Sequence, residues 1–391
     1  MNELFNKLPK LKKNINLTKD TLNKFYKNLQ NEKDKINDSK YKYKCTPITF
    51  LGEYPRDLQI PPIPFVDSEI CSFLNKSSGF YQQFKINIFK RHFTIHLYLP
   101  SQDYNSRDDD VGHFFQECVY KIQLWLCFVS PYIKNQCSMK TTIYLLFTHF
   151  QKLLPQKNEP ITTKHVNSGF TETSYNNESS IYIFRYEEWF KVLIHESFHC
   201  FGLDFSRRYN SVIKDKITEV FKVENKNGIK LYEAYCEIWA EVLNVVFVSY
   251  FKTKDKNSFL ITFDFLLNKE LSFTAYQCNK ILKHLRISYD DMINLNCRTI
   301  KIRETTNMTS YYFLKFILFL NLRKFESWCK KHNTTLFEFN KNNMLKFVDF
   351  IIQHSRDELI QKSFERMDVF NTRATLSSYE KKTMKMTIVN Y

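Results

Sequence analysis

The sequence predicts an α+β fold: a small mixed sheet with its helices in residues 80–206, followed by a mainly α-helical part in residues 207–370. Three observations carry this. Residues 84–99 alternate apolar and polar side chains at the period of a strand. Residues 114–133 are apolar nearly all round and too long for a strand, which suits a buried helix. After Gly202 the apolar residues recur at helical spacing almost to the end of the chain.

Residues 1–66 read as a basic N-terminal extension and a Pro-rich strap. The first 44 residues hold 12 Lys against 5 acids, with Leu8, Leu11, Leu17, Leu22, Phe25 and Leu29 at helical intervals. Such a segment suits a helix packed loosely on the body, or one that meets a polyanion or a membrane surface. Pro55, Pro61, Pro62 and Pro64 remove backbone donors and fix φ, so 54–66 reads as extended chain.

Phe84–Phe89 and Phe93–Leu99 form a predicted hairpin, ended by Pro100. Ser101–Gly112 reads as a loop and Phe114–Ile133 as the buried helix. Thr141–Phe147 is β-branched and aromatic and reads as a strand, and Pro155 ends the short stretch after it. The polar residues 156–178, with Asn167-Ser168-Gly169-Phe170 in their middle, read as a loop. Ile181–Phe184 is a short strand. Glu187–Phe201 is a helix, with Gly202 placed to cap it. Further helices are expected at 211–223, 231–251, 272–285, 308–330, 336–354 and 356–367, and a frayed tail at 371–391.

Bulk composition narrows the class. With 43% apolar residues the chain can build a sizeable core, and with only six Gly among 391 residues a Gly-rich nucleotide cradle is not expected. The abundance of Lys, Asn, Ile, Phe and Tyr is what an AT-rich genome encodes. The net charge of +16 comes from Lys and Arg spread over the whole chain, which suits a solvated surface more than one binding face. Ten Cys fall singly, with no C-x-x-C pair, as expected of reduced thiols in a cytoplasmic protein. The polar, Lys-rich start does not read as a signal peptide, and apolar runs such as Val242–Phe251 are too short and polar for a membrane span.

The chemistry concentrates in Val192-Leu-Ile-His195-Glu196-Ser-Phe-His199, an H-E-x-x-H run on an expected helix. Residues four apart share a helical face, so both imidazoles can bind one ion. The carboxylate between them lies close enough to take a proton from a water on that ion. A His ten residues after His195 would complete one known arrangement, but Phe205 stands there. Asp204 suits a supporting role beside the site, or a cap on the loop after the helix.

A third ligand is offered by Glu233, Glu237 and Glu241, at i, i+4 and i+8 among Ala234, Ile238, Trp239 and Leu243. Carboxylates in such company need partners, because a buried unpaired charge is strongly unfavourable. A metal ion and its imidazoles would supply them.

The run Glu233-Ala-Tyr-Cys-Glu237-Ile, after H-E-x-x-H, resembles the signature of the gluzincin type of zincin metallopeptidase, in which N-E-A-x-x-D-I supplies a ligand Glu and an Asp four residues on. Tyr232 and Glu237 depart from that pattern. The resemblance covers about 80–250. It implies one Zn2+ held by His195, His199 and Glu233, with Glu237 as the alternative third ligand. Otherwise Glu237 supports a ligand His, beside Asp204. Glu196 becomes the general base. It also implies an edge strand just before the active-site helix that pairs with extended substrate, a place Ile181–Arg185 would fill. The composition, with Glu187–Phe205, is similar to zincin-like proteins of large DNA viruses, which implies a virion or an infected cell. A group stabilising the tetrahedral oxyanion is needed as well; Tyr311, Tyr312 and His284 are candidates, whereas His92, His96, His113, His149 and His165 read as structural.

The expected function is therefore hydrolysis of a peptide or protein substrate. Two other readings remain: a zincin-like scaffold that binds without cleaving, and a basic protein that binds nucleic acid or a membrane surface through residues 1–44.

Overall fold

The computed structural model describes all residues except 1, 13–14, 39, 62–65, 102–107, 134–135, 174–176, 222, 225–227, 294–299, 302–304 and 391. Pro62 and Pro64 of the expected strap, and most of the expected loop after Ser101, lie outside the described residues. The chain begins with α1 (Asn2–Lys7), α2 (Lys19–Asn37), β1 (Tyr43–Cys45), β2 (Thr49–Leu51) and α3 (Ser68–Asn75). Then come β3 (Gly79–Ile88), β4 (Arg91–Pro100), α4 (Asp108–Val129), β5 (Lys140–Leu146), α5 (Thr163–Val166), β6 (Gly169–Thr173), β7 (Glu178–Ile183) and α6 (Trp189–Cys200). The helical part holds α7 (Ser211–Val220), α8 (Leu231–Lys252), α9 (Lys256–Leu285) and α10 (Tyr289–Ile293). It continues through a π-helical turn at Thr309–Leu314 to α11 (Lys315–Leu320), α12 (Leu322–His332), α13 (Met344–His354), α14 (Glu358–Arg373) and α15 (Ser378–Lys382). The fold is the expected mixed α/β arrangement with a helical C-terminal region.

Two compact units result: a sheet unit of 24–151 and 167–203, and a helical unit of 1–23, 152–166 and 204–391. The division differs from the sequence reading. Residues 43–45 and 49–51, placed there in an extension, pair with β3 as strands of the sheet.

The sheet unit is built on a seven-stranded sheet in the order β1-β3-β4-β5-β7-β6, with β2 also on β3. The hairpin β3–β4 is longer than alternation predicts, running from Gly79 opposite Pro100 to Ile88 opposite Arg91. β5 and β7 join in parallel, and β6 closes the edge antiparallel to β7. The expected edge strand is therefore corrected. β7, which contains Ile181–Ile183, lies between β5 and β6, and the edge is β6, within the stretch read as a loop.

Register is fixed by side chains on both faces. Ile95, Ile143 and Ile181 stand opposite one another on one face. On the other, His96, Tyr144, Tyr182 and Phe170 stack in turn with centroids 4.8, 4.5 and 4.7 Å apart. Tyr54, Leu58, Ile70 and Leu74 pack with Tyr182 and Phe170 in one buried cluster on this face. A one-residue slip would turn both rows over, so the pairing has one solution.

His96 sits in the stack with Nδ1 2.9 Å from the Tyr81 hydroxyl. Burial, with Lys85 nearby, pushes its pKa down from 6.5 to about 4.

In the helical unit α8 passes by length and composition as a membrane-crossing helix, yet 94% of its apolar window is buried within the fold. α1 is tied down rather than loosely laid. Leu4 is wholly buried, its N–H donates to Glu380 at 3.0 Å, and Phe5 meets Phe265 edge-on.

The end of the chain also differs from the frayed tail expected. α15 is closed by a capping box at Ser377 and Glu380, and Met384–Val389 are buried. Polar side chains of the long helices bind this segment by its backbone. Gln277 donates to the Thr383 and Lys385 carbonyls, Lys280 to Thr383, and Asn244 to Val389. The Glu270 carboxylate accepts from the Ile388 and Val389 N–H groups.

At the centre of this unit Lys315 Nζ lies 2.6 Å from Glu241 and 3.7 Å from Glu237, all three almost fully buried. Burial works against its charge, but Glu241 and Glu237 outweigh it and raise its pKa.

Lys315→Ala removes the lysine partner of two buried carboxylates and should lower unfolding free energy by about 3–5 kcal/mol in a urea titration. His96 binds fewer protons folded than unfolded between pH 6.5 and about 4, so stability falls as pH drops through that window. His96→Phe, which keeps the stack, should flatten that fall in urea titrations at pH 7 and pH 4.5.

Candidate metal centre

α6 is a helix with almost no solvent face. Trp189, Phe190, Val192, Leu193, Ile194, Phe198 and Cys200 are buried, and only His199 is left half-buried. Its start differs slightly from the sequence reading, because Glu188 takes a left-handed φ of 62° as the residue before the first turn. Its end has the expected cap. Gly202 has φ 62°, its N–H donates to His199 O at 3.1 Å, and Leu203 N–H reaches Phe198 O at 2.9 Å. These are the paired bonds of a Schellman turn, and the positive φ is the reason glycine suits that position.

The helix is also pinned from the side. The Trp125 indole of α4 donates to Ser197 Oγ at 3.0 Å, and Ser197 donates to Leu193 O at 2.6 Å. Ser197 lies between the two histidines in sequence, so this bond fixes the rotation of the face that carries them.

On that face His195 and His199 present Nε2 atoms 3.2 Å apart, with rings 5.0 Å apart and inclined at 71°. Glu196 is buried beside them. The Thr171 hydroxyl of β6 lies 2.8 Å from its Oε2 and 3.0 Å from its backbone carbonyl.

The glutamates of α8 meet different fates despite their equal spacing. Glu241 and Glu237 face Lys315, and Thr274 also donates to Glu241 at 3.3 Å. Glu233 instead accepts from Asn307 Nδ2 at 3.1 Å, and the same amide lies 3.4 Å from the Tyr311 hydroxyl. The expectation that a metal ion and its imidazoles would partner these carboxylates is thus corrected for two of them, which a buried lysine serves.

Among the described residues, His195, His199 and Glu233 form one group that could hold a metal ion, with ligand atoms within 4.8 Å of one another. The group contains Glu233 and not the alternative, Glu237. A second such group is His199, Asp204 and Cys236. Asp204 is buried and accepts from Ser206 at 3.0 Å and from the Cys236 thiol at 3.8 Å.

Of the candidate oxyanion donors, Tyr312 is wholly buried and donates to Met384 O at 2.5 Å, and His284 Nε2 sits 3.2 Å from Glu159 O. Tyr311, through Asn307, is the one associated with Glu233. Thr171, Asn307 and Lys315 were absent from the sequence reading. Nothing in their local sequence marks them, because each acts on a residue at least 25 positions away.

Comparison with protein-family models, with curated proteins and with solved structures returned no match for this chain.

Ser197→Ala removes the acceptor of a buried indole. It should lower stability by about 1–3 kcal/mol in chemical denaturation, with Trp125 fluorescence as the probe.

Proposed function

We propose that this chain is a zinc-dependent peptidase in which His195, His199 and Glu233 hold one Zn2+ and Glu196 is the general base. The observation that carries the reading is the 3.2 Å separation of the two imidazole Nε2 atoms. With zinc–nitrogen bonds of about 2.0–2.1 Å, two ligands of a tetrahedral ion stand about 3.3–3.4 Å apart. The pair therefore has the spacing such an ion needs before any ion is added. Two imidazoles and one carboxylate are a donor set that suits catalytic zinc and leaves a fourth position open.

Zinc held there would polarise a scissile carbonyl and bring the pKa of a bound water towards about 7. The chain's own residues do the rest. Glu196, one position along the helix from His195, takes a proton from the attacking water and delivers it to the leaving amine. Asn307 orients the Glu233 carboxylate through its hydrogen bond. Lys315 pairs with Glu237 and Glu241. β6, bonded within the sheet to β7 alone among the described residues, offers a strand edge to which an extended peptide adds by backbone hydrogen bonds.

The test pairs metal analysis with variants of the full chain. The wild type should bind one zinc ion per chain after stripping and reloading, and His195→Ala or His199→Ala should each weaken that binding by roughly 100-fold or more. Glu196→Gln should keep the zinc and lose hydrolysis of a mixed peptide library by about 10²–10⁴-fold. A wild type that binds no zinc, or a Glu196→Gln variant as active as the wild type, overturns the reading.

A further inference from the structure

We infer that Thr171 is the positioning residue of the general base: its hydroxyl, on edge strand β6, holds the Glu196 carboxylate in the orientation that proton transfer requires. This rests on the reading of Glu196 as the base and deepens it.

The geometry is direct. Thr171 Oγ1 lies 2.8 Å from Glu196 Oε2 and 3.0 Å from Glu196 O. Both neighbours are acceptors, so the hydroxyl is the donor, shared between the side chain and the backbone of one residue. A glutamate side chain has three rotatable bonds and, unheld, spreads its carboxylate over several positions. A donor that reaches its oxygen and its own carbonyl together selects the rotamers that bring the two close. The bond to the charged oxygen is of the stronger, charge-assisted kind.

The fold is arranged to bring this hydroxyl there. β6 runs antiparallel to β7, and its residues 169 and 171 face α6 while Phe170 joins the aromatic stack of the opposite face. The approach is close because residue 169 has no side chain. A Cβ at Gly169 would stand 2.8 Å from Tyr182 O, 2.9 Å from Val192 Cγ1 and 3.4 Å from Glu196 Cγ. The first two distances are closer than real Cβ atoms come, so any larger residue would push strand and helix apart. One of the chain's six glycines thus sits where it lets the strand approach the base, two residues before the hydroxyl that holds it.

The edge position has a consequence for substrate. A peptide that adds to β6 pairs alongside the strand that carries Thr171. Docking of the peptide and alignment of the base then share one rigid element, so the reacting carbonyl and the proton acceptor keep their relative place.

The test uses the zinc-loaded full chain with Thr171→Val, which keeps the β-branched shape and loses the hydroxyl, and Thr171→Ser, which keeps the hydroxyl. Thr171→Val should lower kcat on a mixed peptide library by about 10–100-fold with KM little changed, and Thr171→Ser should stay within about threefold of the wild type. Zinc affinity of the stripped protein should not change, because Thr171 is no ligand. The second readout is binding of acetohydroxamate, whose proton the Glu196 carboxylate accepts. Thr171→Val should weaken it by about tenfold, and should weaken it no further in a Glu196→Gln background, as expected of a residue acting through Glu196. An active wild type with Thr171→Val within threefold in both kcat and hydroxamate affinity overturns the positioning role alone. So does a Thr171→Ser variant as impaired as Thr171→Val. A zinc-loaded wild type that neither cleaves nor binds hydroxamate overturns the peptidase reading, and this role with it.

Discussion

Two imidazole nitrogens 3.2 Å apart on one helical face are the constraint around which the rest of the sheet unit is arranged. Two neutral rings gain at most one hydrogen bond from such an approach, and two protonated rings repel. On the proposed zinc reading, the separation is that of two ligands on one tetrahedral ion. Holding it demands a helix that neither rolls nor frays. α6 meets that demand by burying nearly its whole circumference, by ending in a Schellman turn at Gly202 and by the Trp125–Ser197 bond in its last two turns. Each device acts on the backbone or on a residue other than His195 and His199.

The acidic helix α8 shows how identical spacing can serve different ends. Glu233, Glu237 and Glu241 are one turn apart and all buried. A like-charged row of this kind is unfavourable unless each member has its own partner. Lys315 faces the lower two from α11, with its ammonium bonded to Glu241 and to Met386 O and 3.7 Å from Glu237. Glu233 accepts a hydrogen bond from Asn307 and belongs, with His195 and His199, to the group that could hold a metal ion.

The legible parts of the fold were those whose information is local. Alternation marked the β3–β4 hairpin, and the apolar circumference marked α6. Gly202 marked its end, and spacing alone put His195, Glu196 and His199 on one face. β6 was illegible because Gly-Phe-Thr-Glu-Thr offers one apolar residue and a polar flank on each side. It becomes a strand through pairing with β7 and through the ring of Tyr182 under Phe170, which are tertiary facts. The end of the chain was illegible for the same reason. Thr383–Val389 are buried where Gln277, Asn244, Lys280 and Glu270, on helices more than 100 residues earlier, bind their backbone groups.

Lys280, Glu270 and Lys315 are charged, but four of the hidden partners share a chemical type. Thr171, Asn307, Ser197 and Gln277 are small neutral hydrogen-bonding residues, and their identity in a sequence says nothing about whom they bind. Ligands and bases are recognisable in sequence because their spacing along one helix is part of the chemistry. The groups that orient them come from other elements and need only a donor at the right place, so many residue types and positions could serve. Because β6 is placed by its pairing with β7, the hydroxyl that reaches Glu196 is a tertiary fact, whereas Glu196 itself stands in the H-E-x-x-H run. With β6 in place, the strand edge, the glycine that admits it and the hydroxyl on Glu196 become one connected device.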